Sequence, residues 1–378
     1  MDRRRFVTGL ASLTACATTP VSGGALVLPA SGAPEPRRPL EPAVIGIEPL
    51  GRSPWKTEDP FLFCAYHLDA YPAGTTQMGP KAPLGGRQMG RDFANKDGWN
   101  MYHGQVVPGF PRHPHRGFET VTVTRTGLVD HADSLGATAR YGEGDTQWMT
   151  AGDGIVHAEM FPLRDPTGPN PLELFQIWLN LPARSKRVPA HFTMLWGETV
   201  PEHRFTDAAG RLTVVRTTAG ALDGTPPPAP PPDSWASESS ASVAIWTVRM
   251  APGASWELPA AAKGLSRSLY LHRGAQVTAD TVEVAASHRI RLRSHVPVPL
   301  TAGPDGAELL LLQGRPIGEP IARQGPFVMN TREEIQEAFA DYRKSAFGGW
   351  PWPDSAPVHP RAEGRFAIHA DGRRDTPA

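Results

Sequence analysis

Pro111-Arg112-His113-Pro114-His115-Arg116-Gly117-Phe118-Glu119, answered downstream by Gly154-Ile155-Val156-His157-Ala158-Glu159, decides how the rest of the chain is read. Each stretch carries two metal-ligating residue types at i and i+2. Side chains two apart on a β-strand share a face, so His113 with His115, and His157 with Glu159, can each aim at one point. Two such strands side by side make a site of three imidazoles and a carboxylate. The carboxylate has a second candidate, because Glu119 continues the parity of His113 and His115. Borderline nitrogen and oxygen donors of this kind suit Fe(II), Mn, Ni, Cu or Zn. A structural zinc site would be richer in cysteine, and this chain has only Cys16 and Cys64. The bland alternative is a set of satisfied polar residues inside a β-sandwich. Two i,i+2 pairs on separate strands are hard to obtain from packing alone, and that favours a metal.

Outward from this motif the chain reads as short strands joined by turns. Phe118-Glu119-Thr120-Val121-Thr122-Val123-Thr124 alternates branched and polar residues, and Gln147-Trp148-Met149 is a short strand before the turn Thr150-Ala151-Gly152-Asp153-Gly154. Leu172 to Leu181 is a further strand, with Phe175, Ile177 and Leu179 on one face and Leu174, Gln176 and Trp178 on the other. A polar Gln176 among those neighbours points to a pocket. Phe118, Trp148, Met149 and Gln176 are the expected pocket wall. Phe61 to Leu68 reads as a buried strand containing an inert Cys64, and Gly74 to Gly98 as a long surface loop of the kind that forms lids.

The chain has 378 residues, which implies two domains on a prior of roughly 100 to 200 residues each. Its 41 prolines and 38 glycines favour a mostly β fold. Lys+Arg and Asp+Glu both number 38, so no basic excess argues for a nucleic-acid partner. No apolar run is long enough to span a membrane. The spacing of turns and strands after Val243 echoes the first half without its ligands: Tyr270-Leu271-His272-Arg273-Gly274 offers one histidine. The expected divisions are a leader over 1–33, a metal-bearing domain over 34–185, a ligand-free domain over 186–345 and a tail over 346–378. The second domain contains a polyproline loop, 224–242, with no core of its own. Thr331 with Glu334 forms a capping box ahead of Ile335, Phe339 and Tyr342, which predicts a short C-terminal helix.

Asp2-Arg3-Arg4-Arg5-Phe6, followed by a weakly apolar stretch and small residues to Ala33, resembles a twin-arginine export signal, placing the protein in the periplasm or cell envelope. Leu13-Thr14-Ala15-Cys16 also resembles a lipoprotein cleavage box, adding a lipid anchor at Cys16 as a second expectation.

His113-Pro114-His115-Arg116-Gly117-Phe118-Glu119-Thr120-Val121 and the run from Gln147 to Met160 resemble the signature of the pirin family of the cupin superfamily, and the likeness extends through Gln176 to Leu181 and Phe327 to Ile335. The resemblance implies two tandem cupin (jelly-roll β-barrel) domains, a C-terminal helix and tail, and metal in the N-terminal domain alone. It assigns the metal to His113, His115, His157 and Glu159 and leaves Glu119 beside them in support. Iron is the usual metal in proteins this chain resembles, and some cleave quercetin with dioxygen, whereas eukaryotic members act as nuclear redox-sensitive cofactors. Two functions fit: a metal-dependent dioxygenase acting on a small aromatic substrate, with Glu159 as ligand and proton acceptor, and a metal-bearing binding or redox-sensing protein without turnover. A monomer is expected. The leader, the Gly74 to Gly98 loop and the polyproline insert depart from the family pattern.

Overall fold

The computed structural model describes residues 41–378. The twin-arginine leader and Cys16 lie outside the described residues. Strands dominate: β1 (Val44–Pro49), β2 (Phe61–Tyr71), β3 (Gly109–His115), β4 (Phe118–Thr126), β5 (Leu128–Asp133), β6 (Thr138–Gly142), β7 (Thr146–Thr150), β8 (Ile155–Met160), β9 (Asn170–Asn180) and β10 (His191–Leu195). β10-β7-β4-β9-β2 form one sheet, and β3, β8, β5 and β6 belong to the sheet facing it. Together they make a first cupin barrel.

A second barrel follows from β11 (Glu202–Thr206), β12 (Leu212–Ala219), β13 (Ala244–Met250), β14 (Ser255–Leu258), β15 (Ser266–Arg273), β16 (Gln276–Ala279), β17 (Val282–Ala285), β18 (His288–Leu292), β19 (Val298–Ala302) and β20 (Ala307–Gly314). Its sheets are β1-β18-β15-β20-β13-β12-β11 and β14-β19-β16-β17. The fold is therefore mostly β with two cupin barrels. Trp246, Leu269, Leu271, Leu309 and Leu311 of the larger sheet and Trp256, Val277 and Leu300 of the smaller one fill the second barrel.

Both faces of β4 and β9 are buried over most of their length, so the threonines of β4 and Gln176 of β9 face an interior and not solvent. One face looks into the first barrel. The other carries Val121, Val123, Phe175, Ile177 and Leu179 into a core shared with Ile245, Tyr270, Leu310 and Leu312 of the second barrel.

The chain crosses the divisions expected from its order. β1 pairs with β18 of the second barrel, and β10 pairs with β7 of the first. The polyproline insert ends inside the shared core, with Trp235 buried there and Ser234 1% exposed. The Gly74 to Gly98 loop is folded on its own polar network. Buried Arg87 donates to Asp92 at 2.9 Å and to the carbonyls of Trp99 and Lys96, and its guanidinium lies 3.3 Å from the Trp99 ring centroid.

After β20 come the hairpin β21 (Ala322–Gln324) and β22 (Phe327–Met329), the helix α1 (Arg332–Ser345), and the strands β23 (Phe366–Ile368) and β24 (Arg374–Asp375). The capping box at α1 is formed on both sides, and Ile335, Phe339 and Tyr342 pack against Phe327 and Met329 as the periodicity predicts. The tail lies along the first barrel: β23 pairs with β6, and Trp352 Nε1 donates to the Asp133 carbonyl at 2.8 Å. No described helix is long and apolar enough to cross a membrane.

Candidate metal centre

β3 and β8 run antiparallel with His113 opposite His157. A register shift between Phe110 and His113 absorbs Pro111 and Arg112. Prolines are tolerated here because β3 lies at the sheet edge. The ring centroids of His113 and His157 are 4.4 Å apart, His113 and His115 4.8 Å, and His115 and His157 4.9 Å. One nitrogen of each lies within 4.8 Å of the other two. Glu159 is outside that tightest group, with Oε2 3.9 Å from His157 Nε2.

The local electrostatics suit a cation. Burial pushes His113 down to about 4 and His115 and His157 well below the ordinary histidine range, with neighbouring histidines adding to the effect in each case. Neutral imidazole is the ligating form. The Pro111 carbonyl lies 2.9 Å from His113 Nδ1 and the Pro326 carbonyl 3.3 Å from His115 Nδ1. A carbonyl only accepts, so both Nδ1 atoms carry the proton and both Nε2 lone pairs are free. His157 is 0% exposed, and neither of its ring nitrogens has a hydrogen-bond partner. Orphaned buried nitrogens cost stability unless something binds them. Three convergent neutral imidazoles thus fit a divalent transition metal on the chemistry of the donors alone.

Glu159 is held from both sides. Gln176 Nε2 donates to its Oε2 at 2.6 Å, and the Thr122 hydroxyl donates to its Oε1 at 3.2 Å. Burial raises its pKa, while nearby His131 and these two donors work against the rise. Gln176 therefore reaches into the site, as its place on β9 suggests. Phe118 lies there too, its ring stacked 4.0 Å from that of Trp178 and edge-on to His115 at 5.1 Å. Met149 is opposite Thr120 and buried beside Ala151 and Ile155, on the barrel's inner side.

Glu119 and Trp148 are elsewhere. Trp148 pairs with Val121 and belongs to the core between the barrels. Glu119 has the same outward parity, and its carboxylate accepts from Thr150 at 2.7 Å and from Ser234 at 2.6 Å. Strand parity does not carry from His115 to Glu119 because β3 ends at His115 and Arg116-Gly117 turns the chain. Gly117 sits at φ +84, and a Cβ there would lie 1.9 Å from the Val328 carbonyl oxygen.

Three features were missed in the sequence. The sequence presents Thr122 only as a strand residue. His131 and Asp133 share the i,i+2 spacing of His113 with His115 and of His157 with Glu159, and lie opposite Glu159 and His157 on β5, with His131 Nε2 3.1 Å from Asp133 Oδ2. That signal was available in His131-Ala132-Asp133. The third is the hairpin β21–β22, which closes over the site: Val328 packs on Phe118 and Trp178, and the Arg323 guanidinium lies 4.8 Å from the Phe63 ring and 4.9 Å from that of Trp178.

Residues 76–179 match the family model described as Pirin, and residues 245–348 that described as Pirin C-terminal cupin domain. A Pseudomonas aeruginosa protein named "Putative quercetin 2,3-dioxygenase" is 36% identical over 241 residues, covering 63% of this chain and 79% of that protein. Human pirin is 30% identical over 280 residues, covering 69% and 87%. The crystal structure of a quercetin 2,3-dioxygenase from Acinetobacter baumannii superimposes with a TM-score of 0.64 at 25% identity, covering 81% of this chain and 98% of that one.

Proposed function

The chain belongs to the pirin family, and from that premise we propose that it is a metal-dependent dioxygenase of planar aromatic enediols, flavonols such as quercetin among them. His113, His115, His157 and Glu159 would hold the metal, with Fe(II) as the ion. When bound, the metal supplies a Lewis acid for the substrate's oxygens and a route for electrons to dioxygen. The observation that carries the reading is the set of three buried neutral imidazoles, one with both nitrogens unpartnered.

The chain's own residues supply the rest. The Phe118–Trp178 stack offers a flat apolar wall to an aromatic ring. Gln176 and Thr122 fix both oxygens of Glu159, so that its carboxylate can take a proton from a substrate hydroxyl without swinging away. The β21–β22 hairpin excludes water above His115. By the same proposal the protein is exported through its twin-arginine leader and works as a monomer in the cell envelope, with Cys16 lipidation as an added anchor.

The test is anaerobic loading with Fe(II) followed by oxygen uptake with a flavonol panel; intact flavonol and no uptake across the panel would leave the non-catalytic metal-bearing reading in its place. Metal content of His113→Ala and Glu159→Ala checks the ligands, and unchanged content in both would refute them. Export is tested by fractionating cells that express the chain with Arg3 and Arg4 replaced by Lys.

A further inference from the structure

The second barrel holds a buried cation, Arg267, that no carboxylate among the described residues neutralises. Five arginines are buried among the described residues: Arg87, Arg116, Arg140, Arg267 and Arg289. Four face carboxylates, namely Asp92, the pair Asp153 and Asp341, Asp130, and Glu48. Arg267 is 2% exposed and has no carboxylate within salt-bridge distance among the described residues. Two of its donors are used, on the Ser294 carbonyl at 3.2 Å and the Pro259 carbonyl at 2.7 Å, and its Nε has no partner. Burial pushes the guanidinium down to about 10, which leaves it charged at neutral pH. A buried charge is ordinarily paired, because carbonyl dipoles offset only part of its lost hydration.

Directly across the ladder from Arg267 on β20 stands Gln313, 7% exposed. Its Nε2 donates to the Ser242 carbonyl at 3.2 Å, and its Oε1 is a buried acceptor with no partner. Arg267 and Gln313 both line a cleft of ≈ 420 Å³ whose other walls include Leu222, Val243, Trp246 and Ala261. That size lies within the roughly 300 to 1,000 Å³ common to small-molecule sites.

We propose that this cleft is a second binding site, specific for a small monoanionic carboxylate with an apolar body and a hydroxyl next to the carboxylate. One guanidinium matches one carboxylate in charge and in planar fork geometry. The unpartnered Gln313 oxygen repels a bare anion and needs a donor, which the neighbouring hydroxyl supplies. Leu222, Val243 and Trp246 receive the apolar body. A phosphate dianion is disfavoured, because it would meet a single cation flanked by acceptor oxygens.

Isothermal titration of the metal-free full chain tests this with 2-hydroxybenzoate, benzoate, benzamide and inorganic phosphate as probes. The expected order is 2-hydroxybenzoate tightest, benzoate several-fold weaker, and benzamide and phosphate without saturable binding. Arg267→Met should lower the affinity for both carboxylates at least tenfold, and Gln313→Leu should abolish the preference for 2-hydroxybenzoate over benzoate. Ala261→Trp, which fills the cleft and leaves Arg267 in place, should block binding while the metal-loaded protein keeps its metal content; this variant decides the matter if Arg267→Met does not fold. Affinity unchanged in Ala261→Trp, or no saturable binding of either carboxylate, overturns the proposal.

Discussion

The two barrels put the same strand positions to opposite uses. In the first, β4 is flanked by β7 and β9, and in the second β15 is flanked by β18 and β20. The inward rows then correspond pair by pair. Phe118 and Asn180 answer Arg267 and Gln313; Thr120 and Trp178 answer Leu269 and Leu311; Thr122 and Gln176 answer Leu271 and Leu309. In the first barrel the deepest of these rows is polar because it serves Glu159. In the second it is leucine, and the space between the sheets closes into core. A cupin barrel thus tolerates a polar interior only where something consumes its hydrogen-bonding capacity. Without that consumer the interior reverts to apolar packing.

The largest expected effect breaks the polar half of this comparison. His157→Ala removes the imidazole that has no hydrogen-bond partner, and metal binding should be lost at micromolar metal, as read by elemental analysis of the dialysed protein. The second barrel should be indifferent, so the variant should remain folded by circular dichroism. Next, Leu311→Ala opens a cavity in the apolar half at a residue 0% exposed. Its cost should be about 2–5 kcal/mol of unfolding free energy, measured by denaturant titration. Residual folded protein should keep its metal stoichiometry, because Leu311 lies on the far side of the shared core. Gln176→Leu then converts one polar position of the first barrel to its counterpart in the second. Glu159 loses its 2.6 Å donor, and metal affinity should fall about 10–100-fold, the usual scale for a partner that orients a ligand. Unchanged affinity would show that Thr122 alone suffices.

Much of this contrast was legible in the chain. The meeting of His113, His115 and His157, the two-faced strand around Gln176 and the capping box at Thr331 all rest on local periodicity, which sequence carries directly. The failures share a different cause. By count alone Glu119 continues the row of His113 and His115, but parity holds only within an unbroken strand, and Gly117 at φ +84 resets it. Trp148 is expected in the pocket wall, yet both faces of its sheet are buried, and nothing local says which face meets the histidines. The Pro326 carbonyl at His115 and Ser234 at Glu119 come from segments 211 and 115 residues away, and no spacing rule reaches them. Nor did the polyproline composition of 224–242 reveal that its far end seats Trp235 in the core.

Glu119 affects stability and not the metal, and it sharpens the comparison on the shared wall between the barrels. Burial raises its pKa to about 7, while the hydroxyls of Ser234 and Thr150 oppose the rise. The folded value exceeds the unfolded one, so the unfolded chain releases this proton first as pH increases. Stability from this group is complete below about pH 4.5, declines between there and about 7, and stays low above. Glu119→Gln keeps an acceptor for the hydroxyls and removes the titration. The variant should be more stable than the parent by about 2–3 kcal/mol at pH 8 and equal to it near pH 4.5, by urea unfolding at the two pH values. Its metal content should not change, because the side chain faces Ser234 and not the histidines. If the parent and the variant have the same dependence on pH, Glu119 titrates in the folded protein as it does in the unfolded chain and is charged at pH 8. The wall between the barrels would then be a polar seam, and the rule that polar groups persist only where something consumes them would have to include Ser234 and Thr150 as its consumers.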